Sequence, residues 1–338
     1  MTLILGRRKK PENGELKMNN PFLEDYIRIT RSSAFRRLAF KTQAISLPDN
    51  PHTSSRLVHT NEVLNLSLII SEQLGLNKEL CMAIAAGHDI GHVPYGHLGE
   101  RALTELSAQK LGENVKFRHN VYGVIIAQEI ENRGQGFNLT HETLEGIFQH
   151  SRGSGPYTSH PNIHQEYNVV MYADKIAYLF SDLEDAIRSE QLEEKDVPDF
   201  AAKFGKTTEE RKMSAIKALL EESKAKGYVI FEEGPLSKEF DQLKSYMYTE
   251  IYPECNNDHQ TDSIKRICEF FGKRKEFAGV DPIVTFSLLT DNETYYMGKL
   301  LLRSKRIPKS KIDHLGVFEY LPFLEGKKID YTKPNLDW

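Results

Sequence analysis

A mostly α-helical protein is predicted by three observations. Between Arg56 and Leu74, the apolar residues Val63, Leu64, Leu66, Ile69 and Ile70 recur at helical spacing. Glycine, proline and asparagine then punctuate the chain where helices stop and start. The composition, 39% hydrophobic and 27% charged, is that of a globular chain and excludes a disordered, collagen-like or disulfide-stapled one. The 338 residues make one large domain or two modest ones.

Residues 1–20 are polar and read as an arm, and a helix is expected from about Glu24 to Phe40. SLPDNPHTSS, residues 46–55, is a loop. The helix from Arg56 stops at Gly75, and Asn77 caps the next one, which runs through Ala86. Gly87, Gly91, Gly96 and Gly99 mark a tight turn before a helix near 99–111. Further helices are expected at 119–132, 140–150, 164–190, 207–225 and 236–272. The stretch 191–210 carries Pro198 and Gly205 and reads as a linker or exposed loop. Residues 315–332 are the segment that could hold short strands.

The net charge is −4, which gives no support for bulk nucleic-acid attraction. Cys81, Cys255 and Cys268 form no CxxC pair, so neither a zinc knuckle nor a disulfide framework is expected. MTLILGRRKK places its charges after its apolar run, the wrong order for a secretory signal. No apolar stretch is long enough to span a membrane. A cytoplasmic location is expected.

Ten of the twelve histidines fall between His52 and His164, roughly a third of the chain. His59, the adjacent His88 and Asp89, and Asp174 stand out, each on or at the end of an expected helix. Two imidazoles and two carboxylates form a mixed N/O donor set that suits one divalent ion among Mn, Fe, Zn, Ni and Mg. Asp174, Tyr178 and Asp182 follow at i, i+4 and i+8 and share one helical face, with Asp185 nearby. Acids repeated on an inner face call for a cation or a polyhydroxyl ligand. On an outer face they are simply solvated.

These residues resemble the HD-domain metal-dependent phosphohydrolases, and within them the deoxynucleoside triphosphate triphosphohydrolases (dGTPase-like). The resemblance is carried by SSAFRRLAFKTQ at 32–43, HDIGHVPYGHLGE at 88–100, FRHN at 117–120, NLTHETLEGI at 138–147 and ADKIAYLFSDLEDA at 173–186. It covers residues 24–190 well. Thr290 and Asp291 echo a C-terminal TD of the family. The resemblance implies an N-terminal arm at 1–23, a helical HD catalytic core at 24–190 and a helical C-terminal extension at 191–338 that completes the nucleotide pocket and oligomer contacts.

Site roles follow from the same resemblance. His59, His88, Asp89 and Asp174 would bind the metal. His97 would handle a proton near the α-phosphate, oriented by Glu100, with His92 near the phosphates. Arg56 and Lys175 would contact phosphate. Gln43, Tyr178 and Asp182 would hold the deoxyribose, Asp182 at the 3′-OH and Tyr178 against the 2′ position. The expected reaction converts a dNTP to deoxynucleoside and inorganic triphosphate, with dGTP as a candidate preference, in a homo-oligomer. The alternatives are another HD phosphohydrolase activity, or a non-catalytic sensor of nucleotide or single-stranded nucleic acid. Tyr122, in HNVY, departs from the family pattern. The basic run LLRSKRIPKSK could supply phosphate-tail cations, or bind a regulatory nucleotide or single strand.

Overall fold

The computed structural model describes residues 5–10, 18–43, 54–112, 114–152, 158–255 and 258–338, apart from 305–306. Helix α1 (Pro21–Thr30) starts where the Asn20 side chain accepts from the amides of Phe22 and Leu23. The helix expected over 24–40 is split. Ser32 accepts from the Phe35 amide and starts a separate turn, Ser33–Arg37. A serine side chain that bonds nearby backbone competes with helix continuation.

Helix α2 (Arg56–Leu74) is capped by Ser55 and stopped by left-handed Gly75 (φ 65°). Asn77 caps α3 (Lys78–Gly87). Then come α4 (Gly96–Leu111), α5 (His119–Ile125), α6 (His141–Gln149) and the long α7 (Gln165–Arg188). Thr207 and Glu210 form a reciprocal capping box on α8 (Thr208–Lys226). Helix α9 (Pro235–Tyr246) precedes α10 (Asp258–Lys273) and α11 (Asp291–Ser304).

Three expectations are corrected. The span 236–272 is not one helix: after Tyr246 a wide turn, Met247–Ile251, and a tight one, Tyr252–Cys255, intervene. Pro253, which has no amide to donate, sits in that break. The stretch 191–210 contains a short helix, Asp199–Ala202, started by Pro198. Residues 315–332 hold a 3₁₀ turn at Gly316–Glu319 and a helical turn at Leu321–Leu324, and no strand occurs among the described residues.

Two apolar cores are built. One is filled from α2, α3, α7, α8 and α9. The other lies between α4, α5 and the C-terminal helices α10 and α11. Helix α7 is buried over most of its length and packs on α2 and α3. Tyr122 gains its explanation here: its hydroxyl is 2.5 Å from Ser287 Oγ, deep in the second core. The functional groups gather where the two cores meet.

Candidate metal centre and histidine cluster

His59 projects from α2, His88 and Asp89 follow the end of α3, and Asp174 projects from the middle of α7. All four are buried. His59 Nε2 is 3.1 Å from Asp174 Oδ1 and 3.4 Å from His88 Nε2. His88 Nε2 is also 3.4 Å from Asp89 Oδ1 and 3.8 Å from Asp174 Oδ1. His88 Nδ1 faces the carbonyl of Ala85 at 2.7 Å and donates to it. That fixes the lone pair of Nε2 toward the other three residues.

The result is a knot of lone pairs from three elements. Donors arranged cis around an ion at about 2.1 Å stand about 3 Å apart. The His59–Asp174 and His59–His88 spacings lie near that value, so the residues fit a divalent ion. The electrostatics of the metal-free chain agree for three of the four residues; His59 is the exception, its burial outweighed by Asp174 and Asp89, which raise it. Burial pushes the carboxyls of Asp89 and Asp174 up. For Asp89 this is outweighed by His88, His92 and Arg56, and for Asp174 by Lys175, His59 and His88, so both sit well below the usual range. Burial lowers His88. A neutral imidazole and ionised carboxylates are the forms that ligate.

A second cluster adjoins the first. Glu100 Oε1 lies 2.9 Å from His119 Nδ1, 3.1 Å from His92 Nδ1 and 3.2 Å from His97 Nδ1. Burial pushes the Glu100 carboxyl up, but the three imidazoles overcome this and hold it well below its ordinary value. His92 Nε2 reaches back to Asp89 Oδ1 at 3.2 Å and its ring stacks on His119 at 3.9 Å. Burial, with Arg56 and His119 beside it, lowers His92 to about 4. His97 is largely exposed, with its second nitrogen unengaged by any described bond.

His119 Nε2 is 3.2 Å from His150 Nε2, and His150 Nδ1 is 2.6 Å from the carbonyl of Ile147. His150 therefore donates from Nδ1 and accepts at Nε2. The approach of α5 depends on Gly91: a Cβ there would fall 2.0 Å from the His119 carbonyl oxygen. The spacing HDxGH thus contains one position where only glycine lets the turn and α5 meet.

Of the expected phosphate contacts, Arg56 is buried and donates from Nη1 to Asp89 Oδ2 at 2.8 Å and from Nη2 to the Gln43 carbonyl at 3.2 Å. Lys175 donates to Asp174 Oδ2 at 3.2 Å, with its ammonium 5.1 Å from the centre of the Tyr178 ring. The acidic face of α7 is not the solvated one: Asp174, Tyr178, Asp182 and Asp185 are all buried. Asp182 Oδ2 accepts from the Tyr252 hydroxyl at 2.8 Å, whereas Oδ1 is buried with no partner among the described residues. The Gln43 Oε1 is likewise buried without one.

Sequence reasoning gave His119 and His150 no role, although the FRHN segment holds the first. It did not find Tyr252 or the buried Lys41, whose ammonium donates to the His92 carbonyl. No local pattern marks Tyr252, and Lys41 lies inside the 32–43 run without a role assigned to it. Lys305 and Arg306 of the basic run lie outside the described residues.

An HD-domain family model matches residues 56–179, the span holding His59, His88, Asp89 and Asp174. The deoxyguanosinetriphosphate triphosphohydrolase-like protein of Caldanaerobacter subterraneus subsp. tengcongensis is 35% identical over 265 residues, covering 78% of this chain and 74% of that protein. The chain belongs to the deoxyguanosinetriphosphate triphosphohydrolase-like family. It is an HD-domain hydrolase. The family member of Clostridium tetani is 35% identical over 236 residues, 68% of this chain and 66% of its own. That of Desulfatibacillum aliphaticivorans is 41% identical over 197 residues, 56% of this chain and 54% of its own. Among the described residues no helix is long and apolar enough to cross a membrane.

Proposed function

We propose that this chain hydrolyses deoxynucleoside triphosphates at the α-phosphate, releasing deoxynucleoside and inorganic triphosphate. The observation that carries the reading is a juxtaposition. A divalent-ion site lies beside an imidazole–carboxylate cluster, and α7 continues from it to a buried carboxylate with a spare acceptor. Metal, proton-handling group and sugar acceptor follow one another as they do along a nucleoside 5′-phosphate.

His59, His88, Asp89 and Asp174 hold the ion. When bound, it supplies Lewis-acid polarisation of a phosphoryl oxygen and acidifies a water. His97 exchanges a proton at Nε2, while Glu100 holds its Nδ1. Arg56 and Lys175, now bonded to Asp89 and Asp174, turn part of their hydrogen-bonding capacity to phosphoryl oxygens. Asp182 Oδ1 accepts from the sugar 3′-OH, Gln43 helps to hold the deoxyribose, and the Tyr178 ring crowds the 2′ position. A homo-oligomer, a cytoplasmic location, a regulatory nucleotide and a preference for dGTP belong to the same proposal.

The test is incubation of the purified chain with each dNTP and each rNTP, with Mn²⁺ or Mg²⁺ and in mixtures, with products resolved by ion exchange. The reading expects intact triphosphate from deoxynucleotides alone. Release of single phosphate or of a monophosphate would assign another HD activity. Tight nucleotide binding without any product would assign a sensor.

A further inference from the structure

Asp291 is the first residue of α11, far in sequence from every residue of the site. Its carboxylate is buried and accepts three hydrogen bonds. Oδ2 takes the Thr42 amide at 2.9 Å and the Thr42 hydroxyl at 2.7 Å. Oδ1 takes the Tyr95 amide at 3.0 Å. The helix itself is started by its neighbours: Thr290 and Glu293 bond each other's backbone, so Asp291 is not needed as the cap.

Both recipients matter for the site. Tyr95 is left-handed (φ 62°) without being glycine, and it opens α4, the helix that carries His97 and Glu100. Such strain persists only where surrounding bonds over-determine it. Tyr95 has no side-chain cap for α4, and its own amide is held by Asp291. At the other end of the same turn, the His92 carbonyl is held by Lys41, the residue before Thr42. Thr42 in turn precedes Gln43, whose carbonyl takes Arg56 Nη2. One carboxylate therefore ties the strand-like segment 41–43 to the 92–95 turn.

We infer that Asp291 is a positioning residue: it sets the orientation of His97 and Glu100 through Tyr95, and the placement of Gln43 through Thr42. It touches no reacting atom. The inference rests on the proposed reading of the site for its catalytic consequence, but not for its structural one. Its ligand-free signature is protection of the Thr42 and Tyr95 amides.

The experiment compares the full chain with Asp291→Asn and Thr42→Val. Three quantities are measured: hydrogen exchange of peptides spanning 41–43 and 92–97, Mn²⁺ affinity by calorimetry, and kcat and KM on dNTPs. Asparagine keeps the volume but cannot accept on both sides. Expected for Asp291→Asn are exchange at least about tenfold faster in both peptides, kcat lower by about 10–100-fold, and Mn²⁺ affinity within about twofold. Thr42→Val removes only the hydroxyl bond and keeps the amides of residues 42 and 95 on Asp291, so exchange should rise less, in the 41–43 peptide alone, and kcat should fall less. Unchanged exchange in both variants would overturn the inference. So would a kcat loss that only tracks lost Mn²⁺ binding. If Asp291→Asn does not fold, Asp291→Glu, which keeps the charge but moves both oxygens off Thr42 and Tyr95, is read by the same criteria. A wild-type chain inactive on every dNTP would sink the proposed reaction, while the exchange data would still decide the role of Asp291.

Discussion

The Tyr252 hydroxyl donates to Asp182 Oδ2 at 2.8 Å and leaves Asp182 Oδ1 buried and unmatched among the described residues. Burial raises the Asp182 carboxyl to about 7, with the Tyr252 bond opposing the rise only in part. A carboxyl raised on folding stabilises the chain while protonated. That contribution is present below the unfolded value near 4 and is lost as pH rises through about 7. Asp182→Asn removes the titration. We expect it to match wild type in Tm near pH 4 and to exceed it by roughly 2–5 °C at pH 8 in the absence of nucleotide. A constant difference across that range, followed by calorimetry, would contradict the burial argument.

Glu100 is shared by His92, His97 and His119 within 3.2 Å. Glu100→Gln keeps the shape but loses the negative charge that faces all three imidazoles. We expect kcat to drop by about a hundredfold or more, with Mn²⁺ binding little changed. Because the Glu100 carboxyl is held well below its ordinary value, its stabilising effect is present above pH 4.5 and lost as pH falls below it. The acid limb of a Tm–pH profile should therefore be shallower in the variant.

Divalent ions should stabilise the chain by mass action. Mn²⁺ at a hundred times its dissociation constant contributes about 2.7 kcal/mol. Asp174→Asn removes a carboxylate whose Oδ1 lies 3.1 Å from His59, and its Tm should not respond to Mn²⁺ at the same concentration. An undiminished response would place the ion elsewhere.

Two glycines separate conformational from steric demand. At Gly75 an added Cβ meets nothing within 4 Å, but φ is +65°, so Gly75→Ala should cost about 1 kcal/mol. At Gly91 the Cβ would lie 2.0 Å from the His119 carbonyl and 2.3 Å from the Gly123 amide nitrogen. Backbone cannot step aside there without displacing α5. Gly91→Ala should unfold at much lower urea or fail to accumulate as soluble protein, and a midpoint close to wild type would refute the close approach.

Much of this was legible in sequence because the signal was local. The cap at Asn77 and the stop at Gly75 lie beside the helices they bound, and the proposed metal donors sit in short motifs. The break in 236–272 was not legible: Pro253 was visible, but the wide turn before it, Met247–Ile251, holds no glycine or proline to announce it. The burial of the acidic face of α7 was ambiguous for a similar reason. An acid every fourth residue looks the same in water and against a pocket, and only α2 and Tyr252 arriving from elsewhere decide it. Tyr252, Lys41 and Asp291 act on partners distant in sequence and leave no periodic trace.

The Asp291 bonds join residues 249 and 196 positions apart. A chain emerging from the ribosome at about 5–20 residues per second has all four residues proposed to hold the ion once Asp174 is out. More than a hundred further residues must follow before Thr42 and Tyr95 find their acceptor. The order of synthesis thus separates acquiring the ion from fastening the segments around it. A nascent chain stalled in that interval carries the donors without the clasp.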